Sequence, residues 1–202
     1  KSLFARAFSE FLLCQANALE KSCEQCDSCQ LLKAETHPDL IKVSPEGASH
    51  SIKIDQIRSL NEAVFKTKHF QGYRVVIIES AHAMNLAASN ALLKTLEEPA
   101  QKVIFILLTN NLHRISPTIR SRCEKISFPK PELNEAKTWL TTQIDSKILQ
   151  NYSIELLLRI TQGSPLEAKQ LVENNALLWR EKLITDFSEV ILGKANALGF
   201  SE

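Results

Sequence analysis

Four of the five cysteines lie close together near the start of the chain, and their thiols are potential metal ligands. Cys14 is followed by Cys23, Cys26 and Cys29, and the last three have the spacing C-x-x-C-x-x-C. Four thiolates at this spacing can converge on one tetrahedral metal ion such as zinc. An iron–sulfur cluster and a set of free thiols are the alternatives, whereas disulfides are disfavoured in a reducing cytoplasm. Cys123 lies far along the chain, and we expect it to be a small buried apolar residue rather than a ligand.

Polar residues follow two predicted strands, at the edge where a parallel sheet binds its ligands. Residues 75–78 and 103–108 are continuous runs rich in Val, Ile and Leu, typical of strands covered on both faces. Asn85 can cap a helix between them, and Pro99 follows the end of that helix. A strand–helix–strand unit of this length is a right-handed crossover, and residues just after its strands line the ligand crevice. These residues are Glu79, Ser80, Thr109 and Asn110. The spacing predicts a crevice of the nucleotide-binding type.

Lys1 and Ser2 open the chain just before apolar residues that repeat at helical spacing. A Lys-Ser pair in the first turn of a buried helix is how the phosphate-binding loop Gly-x-x-x-x-Gly-Lys-Ser ends. In such a loop the lysine meets the β- and γ-phosphates, and the hydroxyl meets magnesium. The glycines would precede Lys1, so these two residues alone are explained more simply as a polar helix start.

The remaining elements of the first part of the chain follow from the same patterns. Residues 40–43 predict another strand, Ile54 begins an amphipathic helix, and residues 125–128 predict a last strand. His37 precedes a proline, and we expect it to bond locally in a turn rather than to act in catalysis. A small basic cluster before the central strand is interpreted as a solvated face, with a contact to DNA or to a partner as the alternative; its members are Lys66, Lys68, His69 and Arg74.

The second part of the chain is predicted to be helical. Residues 129–131 read Pro-Lys-Pro, a stiff linker that marks a domain boundary. Helical periodicity then runs over residues 132–173, interrupted at Gly163. Residues 177–200 form another amphipathic helical segment. The sequence therefore predicts an α/β domain followed by helices.

Charge and hydropathy limit the possible functions. The 24 basic and 23 acidic residues leave a net charge of +1, so the chain has no global field for holding nucleic acid. No apolar run approaches the ~18 residues that span a bilayer, and a secretory signal is absent. We therefore expect a cytoplasmic protein. The chain starts without a Met, and we expect it to be a piece of a longer protein.

Three motifs in one order carry a family resemblance. They are ALLKTLEEP, the strand ending LLTNN, and SRC at residues 121–123. The chain resembles the clamp-loader branch of the AAA+ ATPases. Within that branch the resemblance is strongest to the delta-prime family of bacterial DNA polymerase III, and the gamma/tau family comes second. The resemblance implies an α/β fold with an AAA+ P-loop-type parallel sheet flanked by helices and carrying a zinc module. It places an AAA+ core at residues 1–128 with its N-terminus incomplete and a zinc-binding insertion at about 14–29. A helical lid would cover 132–173, and 177–202 would begin a truncated helical collar.

The resemblance also assigns roles to single residues. Structural zinc would be held by Cys14, Cys23, Cys26 and Cys29. Lys1, Ser2, Glu79 and Thr109 would be remnants of a nucleotide site. Hydrolysis needs an acidic pair after the central strand, yet Ser80 stands in the second position and lacks the basicity to activate water. The lid arginine of the family should follow Ser164, where this chain has Pro165.

One functional residue of the family remains. Arg122 of the SRC motif would be an arginine finger that reaches the ATP site of a neighbouring subunit and stabilises charge developing on its γ-phosphate. Without the resemblance, Arg122 would be interpreted as part of a surface ion pair. Arg120 is expected to be structural.

These implications predict a subunit without intrinsic ATPase activity in the clamp loader of the DNA-directed DNA polymerase III holoenzyme. It would help load the sliding clamp onto primed DNA, with ATP bound only at the neighbouring subunit's site. The expected partners are the gamma/tau and delta subunits of a hetero-pentamer and, through the complex, the clamp and primer-template DNA. The alternative is an ATP-hydrolysing subunit of the gamma/tau type. A free-standing zinc-containing DNA-binding module is a third hypothesis, which the near-neutral charge disfavours.

Overall fold

A computed structural model describes residues 1–16, 21–47, 50–145, 148 and 152–192, with only the backbone of Glu181. The chain divides into two compact units, Lys1–Ser127 and Phe128–Glu202, and each is described by itself. Among the described helices, none combines the length and the apolar character needed to cross a membrane.

In its described residues, the first unit is built on three parallel strands in the order β1-β2-β3. They are β1 (Leu40–Val43), β2 (Arg74–Ile78) and β3 (Val103–Leu107). The register pairs Val43 with Ile78 and Ile78 with Leu107, so the carboxyl ends of all three strands lie at one edge. Every residue of β2 is buried, and for residues 75–78 the unbroken Val-Val-Ile-Ile run predicts this burial in a central parallel strand. The predicted parallel α/β fold is confirmed.

Helices cover both faces of the sheet because side chains alternate along β2. On one face Val76 and Ile78 pack with α3 (Ile54–Phe65) and α4 (Leu86–Glu97). On the other face Val75 and Ile77 pack with α1 (Ser2–Leu13) and with Leu32 of α2 (Asp27–Lys33). β2 is therefore the centre of the unit, because its side chains pack on both faces of the sheet. Each fully buried aliphatic side chain contributes roughly 1.5–3 kcal/mol to the stability of the fold.

Short capped elements connect the strands to the site. A 3-10 turn (Ala81–Ala83) follows β2, and Asn85 then caps α4 as predicted, its Oδ1 accepting the Ala88 N–H at 2.7 Å. After β3 come a second 3-10 turn (Leu112–Arg114) and the one-turn helix α5 (Pro117–Arg120). The Ser116 hydroxyl caps α5 by accepting the Ile119 N–H at 3.3 Å.

The prediction of a last strand at residues 125–128 is wrong. The segment has no strand geometry, and Ile126 is 63% exposed. A strand forms by pairing with a neighbour, and the three strands of the described sheet do not pair with this segment. The alternation of polar and apolar residues at 125–128 is typical of a strand, but the segment has no strand to pair with among the described residues.

The prediction that Arg74 belongs to a solvated basic face is also wrong. Its side chain is 3% exposed and contacts Asp39, with Nη2 to Oδ1 at 2.7 Å and Nε to Oδ1 at 3.1 Å. Nη1 donates to the carbonyl oxygens of Ala63 at 2.7 Å and Lys66 at 2.8 Å. The Oδ2 atom of Asp39 accepts the N–H groups of His69 and Phe70, both at 3.0 Å. Arg74 therefore holds the C-terminal end of α3 and the loop after it in place by hydrogen bonds to their backbone carbonyl groups.

The second unit is helical. The helices that the structure describes there are α6 (Leu133–Gln143), α7 (Ile154–Ile160), α8 (Pro165–Glu173) and α9 (Ala176–Ile191). Leu140, Leu157 and Leu158 form its core and are at most 1% exposed. Gly163 has φ +84°, a left-handed conformation that favours glycine, in the turn before α8. Residues 193–200 of the predicted amphipathic segment lie outside the described residues.

Candidate functional site

The four clustered cysteines converge. Cys14 follows α1, Cys23 and Cys26 lie in the loop before α2, and Cys29 is in the first turn of α2. Their sulfur atoms all lie within 4.8 Å of one another. Four sulfurs at ~2.3 Å from a tetrahedral zinc would be about 3.8 Å apart, and the Sγ atoms of Cys23 and Cys29 are 3.9 Å apart. The four side chains therefore fit one metal ion, and the donor set is compatible with zinc.

Backbone dipoles and burial act on these thiols in opposite directions. The pKa of Cys23 is lowered to about 6, chiefly because the backbone N–H groups of Gln25 and Cys26 donate to its sulfur. Burial raises the pKa of Cys29 to about 12. A metal ion bound by these thiols would favour their ionised forms, because a thiol that coordinates a metal is deprotonated.

Cys123 is separate from this cluster, as the sequence predicts. It packs against the main core of the first unit, and burial raises the pKa of its thiol. A buried thiol of this kind acts as a small apolar side chain. Cys123 is therefore a natural control for the four candidate ligands.

A buried hydrogen-bond chain joins the cysteine loop to the sheet. The Ser28 hydroxyl donates to the Leu13 carbonyl at 2.6 Å and lies 2.9 Å from His37 Nε2. The backbone N–H of Asp39 donates to His37 Nδ1 at 3.1 Å, so Nε2 carries the proton and donates to Ser28. Burial lowers the pKa of His37, which favours the neutral ring. The local bond of His37 was predicted; the bond to Ser28 was not, because the residues are distant in sequence.

The predicted nucleotide-site residues gather at the carboxyl edge of the sheet. Lys1 Nζ donates to the Thr109 carbonyl at 2.9 Å and to Asn110 Oδ1 at 3.2 Å. Ser2 and Glu79 line one cavity of about 280 Å³, together with Arg6. The structure therefore places Lys1 beside Thr109 and Ser2 near Glu79.

The two strand-end loops are locally satisfied. Ser80 follows Glu79 with φ 50°, the left-handed conformation that leads into the 3-10 turn. The Thr109 hydroxyl accepts the Asn111 N–H at 3.0 Å and lies 3.1 Å from His82 Nδ1. These bonds make Thr109 a turn-capping residue in this structure. The contact with His82 has no signal in the sequence, because it depends on the fold.

Arg122 is held at the surface by two contacts within its own unit. Nη1 donates to the Thr118 carbonyl at 2.8 Å, and Nη2 pairs with Glu97 Oε1. The Arg122 side chain remains 33% exposed. The expectation that Arg120 is structural is wrong, because its side chain is exposed and forms no hydrogen bond or ion pair with any residue that the structure describes.

Comparison with known proteins gives this arrangement a class. A gamma-subunit-related DNA polymerase III protein from Thermotoga maritima has a TM-score of 0.51 and 25% identity. The match covers 72% of this chain and 48% of that one. The parallel sheet, its polar carboxyl edge and this likeness define a protein of the AAA+ clamp-loader type.

The family follows from sequence. Residues 1–132 match the family described as DNA polymerase III, delta subunit, and the chain belongs to that family. The DNA polymerase III subunit delta′ of Pseudomonas aeruginosa is 39% identical over 85% of this chain and 52% of its own length. The subunit delta′ of Escherichia coli is 36% identical over 88% of this chain and 52% of its own.

These matches confirm the predicted resemblance to the delta-prime family. The chain spans about half the length of the curated relatives that it matches. The roles assigned to Arg122, to the strand-end residues and to the cysteines stay predictions.

Proposed function

We propose that this chain is part of a non-hydrolysing subunit of the DNA polymerase III clamp loader, which helps place the sliding clamp on primed DNA. Its contribution is to hold its place in the assembly and to donate an arginine to the ATP site of a neighbour. The carrying observation is the end of β2, where Glu79 is followed by the hydroxyl of Ser80 in a left-handed turn. A hydroxyl supplies neither the negative charge nor the basicity that an attacking water needs.

Arg122 is the residue that would act on the neighbour. Its guanidinium has five N–H donors in a fixed fork, a geometry that matches phosphate oxygens. It lies at the surface on the turn after α5, where an adjoining protein could approach it. A positive charge delivered there would stabilise the negative charge that develops on the γ-phosphate during transfer.

The metal proposed for the four cysteines is a structural zinc. Four protein ligands leave no open coordination position, so the ion would hold the loop to α1 and α2 rather than take part in catalysis. This loop has few apolar residues of its own, and the metal would take the place of a core.

The proposed partners are the other loader subunits, gamma/tau and delta, in a hetero-pentamer that acts in the cytoplasm. Contact with the clamp and with primer-template DNA would be made through that complex, because the net charge of +1 gives the chain no general affinity for nucleic acid.

The test is Arg122→Ala in the full-length protein, assembled with its partner subunits. We expect assembly and fold to be unchanged, while ATP turnover and clamp loading fall about tenfold or more at the site that receives the arginine. Arg120→Ala is the matched control, because Arg120 is exposed and has no described partner. Equal turnover of the Arg122→Ala and unsubstituted complexes would contradict the assignment.

The second candidate is an ATP-hydrolysing subunit of the gamma/tau type. Its support is the position of Lys1, whose Nζ reaches the carboxyl end of β3 at Thr109 and Asn110, where a phosphate would lie in such a site. The match of residues 1–132 to the delta-subunit family, with identities of 39% and 36% to the delta′ subunits, favours the first candidate.

A further inference from the structure

Arg122 and Glu97 are far apart in sequence and form an ion pair at the surface of the first unit. Nη2 of Arg122 contacts Oε1 of Glu97, the last residue of α4. Nη1 is fixed separately, by the Thr118 carbonyl at 2.8 Å and more weakly by the Ser121 hydroxyl at 3.4 Å. Both terminal nitrogens of the guanidinium are therefore anchored, and each anchor comes from a different helix.

Glu97 occupies an electrostatically unfavourable position if it is considered without Arg122. The carbonyl groups at the end of a helix carry partial negative charge, so an acidic residue in the last turn is disfavoured. α4 ends with Glu97, and Glu98 follows it directly. The end of α4 is thus a focus of negative charge, and the guanidinium of Arg122 balances it.

The anchors leave part of the arginine free. A guanidinium has five N–H donors. Thr118, Ser121 and Glu97 engage three of them, so the Nε–H and one Nη2–H have no partner among the residues that the structure describes. A phosphate oxygen can therefore be bound while the guanidinium stays anchored.

We propose that Glu97 is a positioning residue for the arginine finger. With the Thr118 carbonyl, it fixes the plane of the Arg122 guanidinium, so that the free N–H groups are presented to the phosphates of the neighbouring subunit's nucleotide. The inference rests on the proposed function, because it gives Glu97 a role only if Arg122 acts in trans. Fixing the guanidinium in advance lowers the loss of side-chain freedom when the phosphate is bound.

The test uses the full-length protein assembled with its partner subunits. Glu97→Gln keeps the size of the side chain and removes its charge, and Glu98→Gln is the matched control. Glu98 is its neighbour in sequence, equally acidic and exposed, and its side chain forms no hydrogen bond or ion pair with a described residue. We expect Glu97→Gln to lower kcat for ATP about threefold to tenfold, with KM for ATP and the melting temperature of the subunit unchanged. Glu98→Gln should match the unsubstituted complex.

A double variant separates positioning from a structural role. If Glu97 acts only through Arg122, Glu97→Gln combined with Arg122→Ala turns over ATP no more slowly than Arg122→Ala alone. A further loss in the double variant, or a lower melting temperature of Glu97→Gln, would overturn the positioning role.

The remaining outcomes are also decisive. An unchanged or raised kcat in Glu97→Gln, with Arg122→Ala impaired, would overturn the role of Glu97 and leave the arginine finger intact. An unimpaired Arg122→Ala complex would overturn the proposed function and the inference together.

Discussion

At the scale of single residues, the protein contains ion pairs of two kinds, one buried and one at the surface. Asp39 and Arg74 form a buried pair with every described polar atom bonded, whereas Glu97 and Arg122 form a pair at the surface. A buried pair depends on both partners, because removing one leaves the other charged and out of water. A surface pair contributes little to folding and leaves its arginine accessible. The first pair therefore serves the fold, and the second is available for function.

Asp39→Asn tests the structural pair. We expect it to lower the free energy of unfolding by about 3–5 kcal/mol, because the guanidinium of Arg74 would remain buried without its counter-charge. Asp55→Asn is the matched control, because the Asp55–Arg58 ion pair is exposed, with Arg58 Nη1 3.4 Å from Asp55 Oδ1. Loss of this pair should change the free energy of unfolding by less than about 0.5 kcal/mol. Urea denaturation of both variants measures the difference, and similar values for the two would contradict the assignment.

The pH dependence of this pair has a definite sign. Burial acts to raise the pKa of Asp39, but the hydrogen bonds from Arg74 and from the N–H groups of Phe70 and His69 outweigh it and lower the pKa below its ordinary value of 3.8. A carboxyl whose pKa is lowered by folding stabilises the folded state above its unfolded pKa. That contribution is lost as the pH falls through the lowered folded-state pKa.

At the scale of elements, sequence pattern predicts those whose signals are local. β3 and residues 75–78 of β2 are continuous apolar runs, β1 is apolar except for Lys42, and the Asn85 cap is a short-range bond. The helix α2 was not predicted, because it is short and Leu32 is the one large aliphatic side chain that this helix is shown to bury. The missing strand at residues 125–128 shows the opposite error, in which a local signal lacks a pairing partner.

The candidate site divides in the same way. The cysteine spacing and the strand-end residues are visible in sequence because each motif is contiguous or follows a recognisable strand. Glu97 and His82 cannot be recognised from sequence as part of the site, because their significance comes from contacts with Arg122 and Thr109 that only the fold creates. The prediction for Arg74 was wrong because arginine side chains are usually exposed. Here the bonds to Asp39 and to backbone carbonyl groups allow the side chain to be buried.

The cysteine loop is the element whose prediction is most easily measured. We expect about one zinc per chain by elemental analysis, and we expect Cys29→Ser to lose most of it and to melt at a lower temperature. Cys123→Ser is the control and should keep the metal, because Cys123 packs in the core away from the cluster. A coloured, iron-containing protein, or equal zinc in the two variants, would contradict the zinc assignment.

At the scale of the whole molecule, the chain joins an α/β unit to a helical one. The last described helix of the helical unit is α9, which exposes large apolar side chains, with Trp179 70% and Phe187 57% exposed. The proposed lid at 132–173 and the proposed start of a collar at 177–202 remain predictions, and the apolar side of α9 is compatible with a further domain. In this account the nucleotide fold is kept for assembly and for Arg122, while its own site has lost the second carboxylate.

The most direct test of that central claim is the rate of ATP hydrolysis by the full-length protein alone, measured beside the same protein assembled with its partners. We expect a rate no higher than background for the protein alone, because Ser80 cannot take the place of the second carboxylate. In the assembled complex we expect turnover that depends on Arg122. Steady ATP turnover by the lone protein, abolished when Lys1 is replaced by alanine, would contradict it.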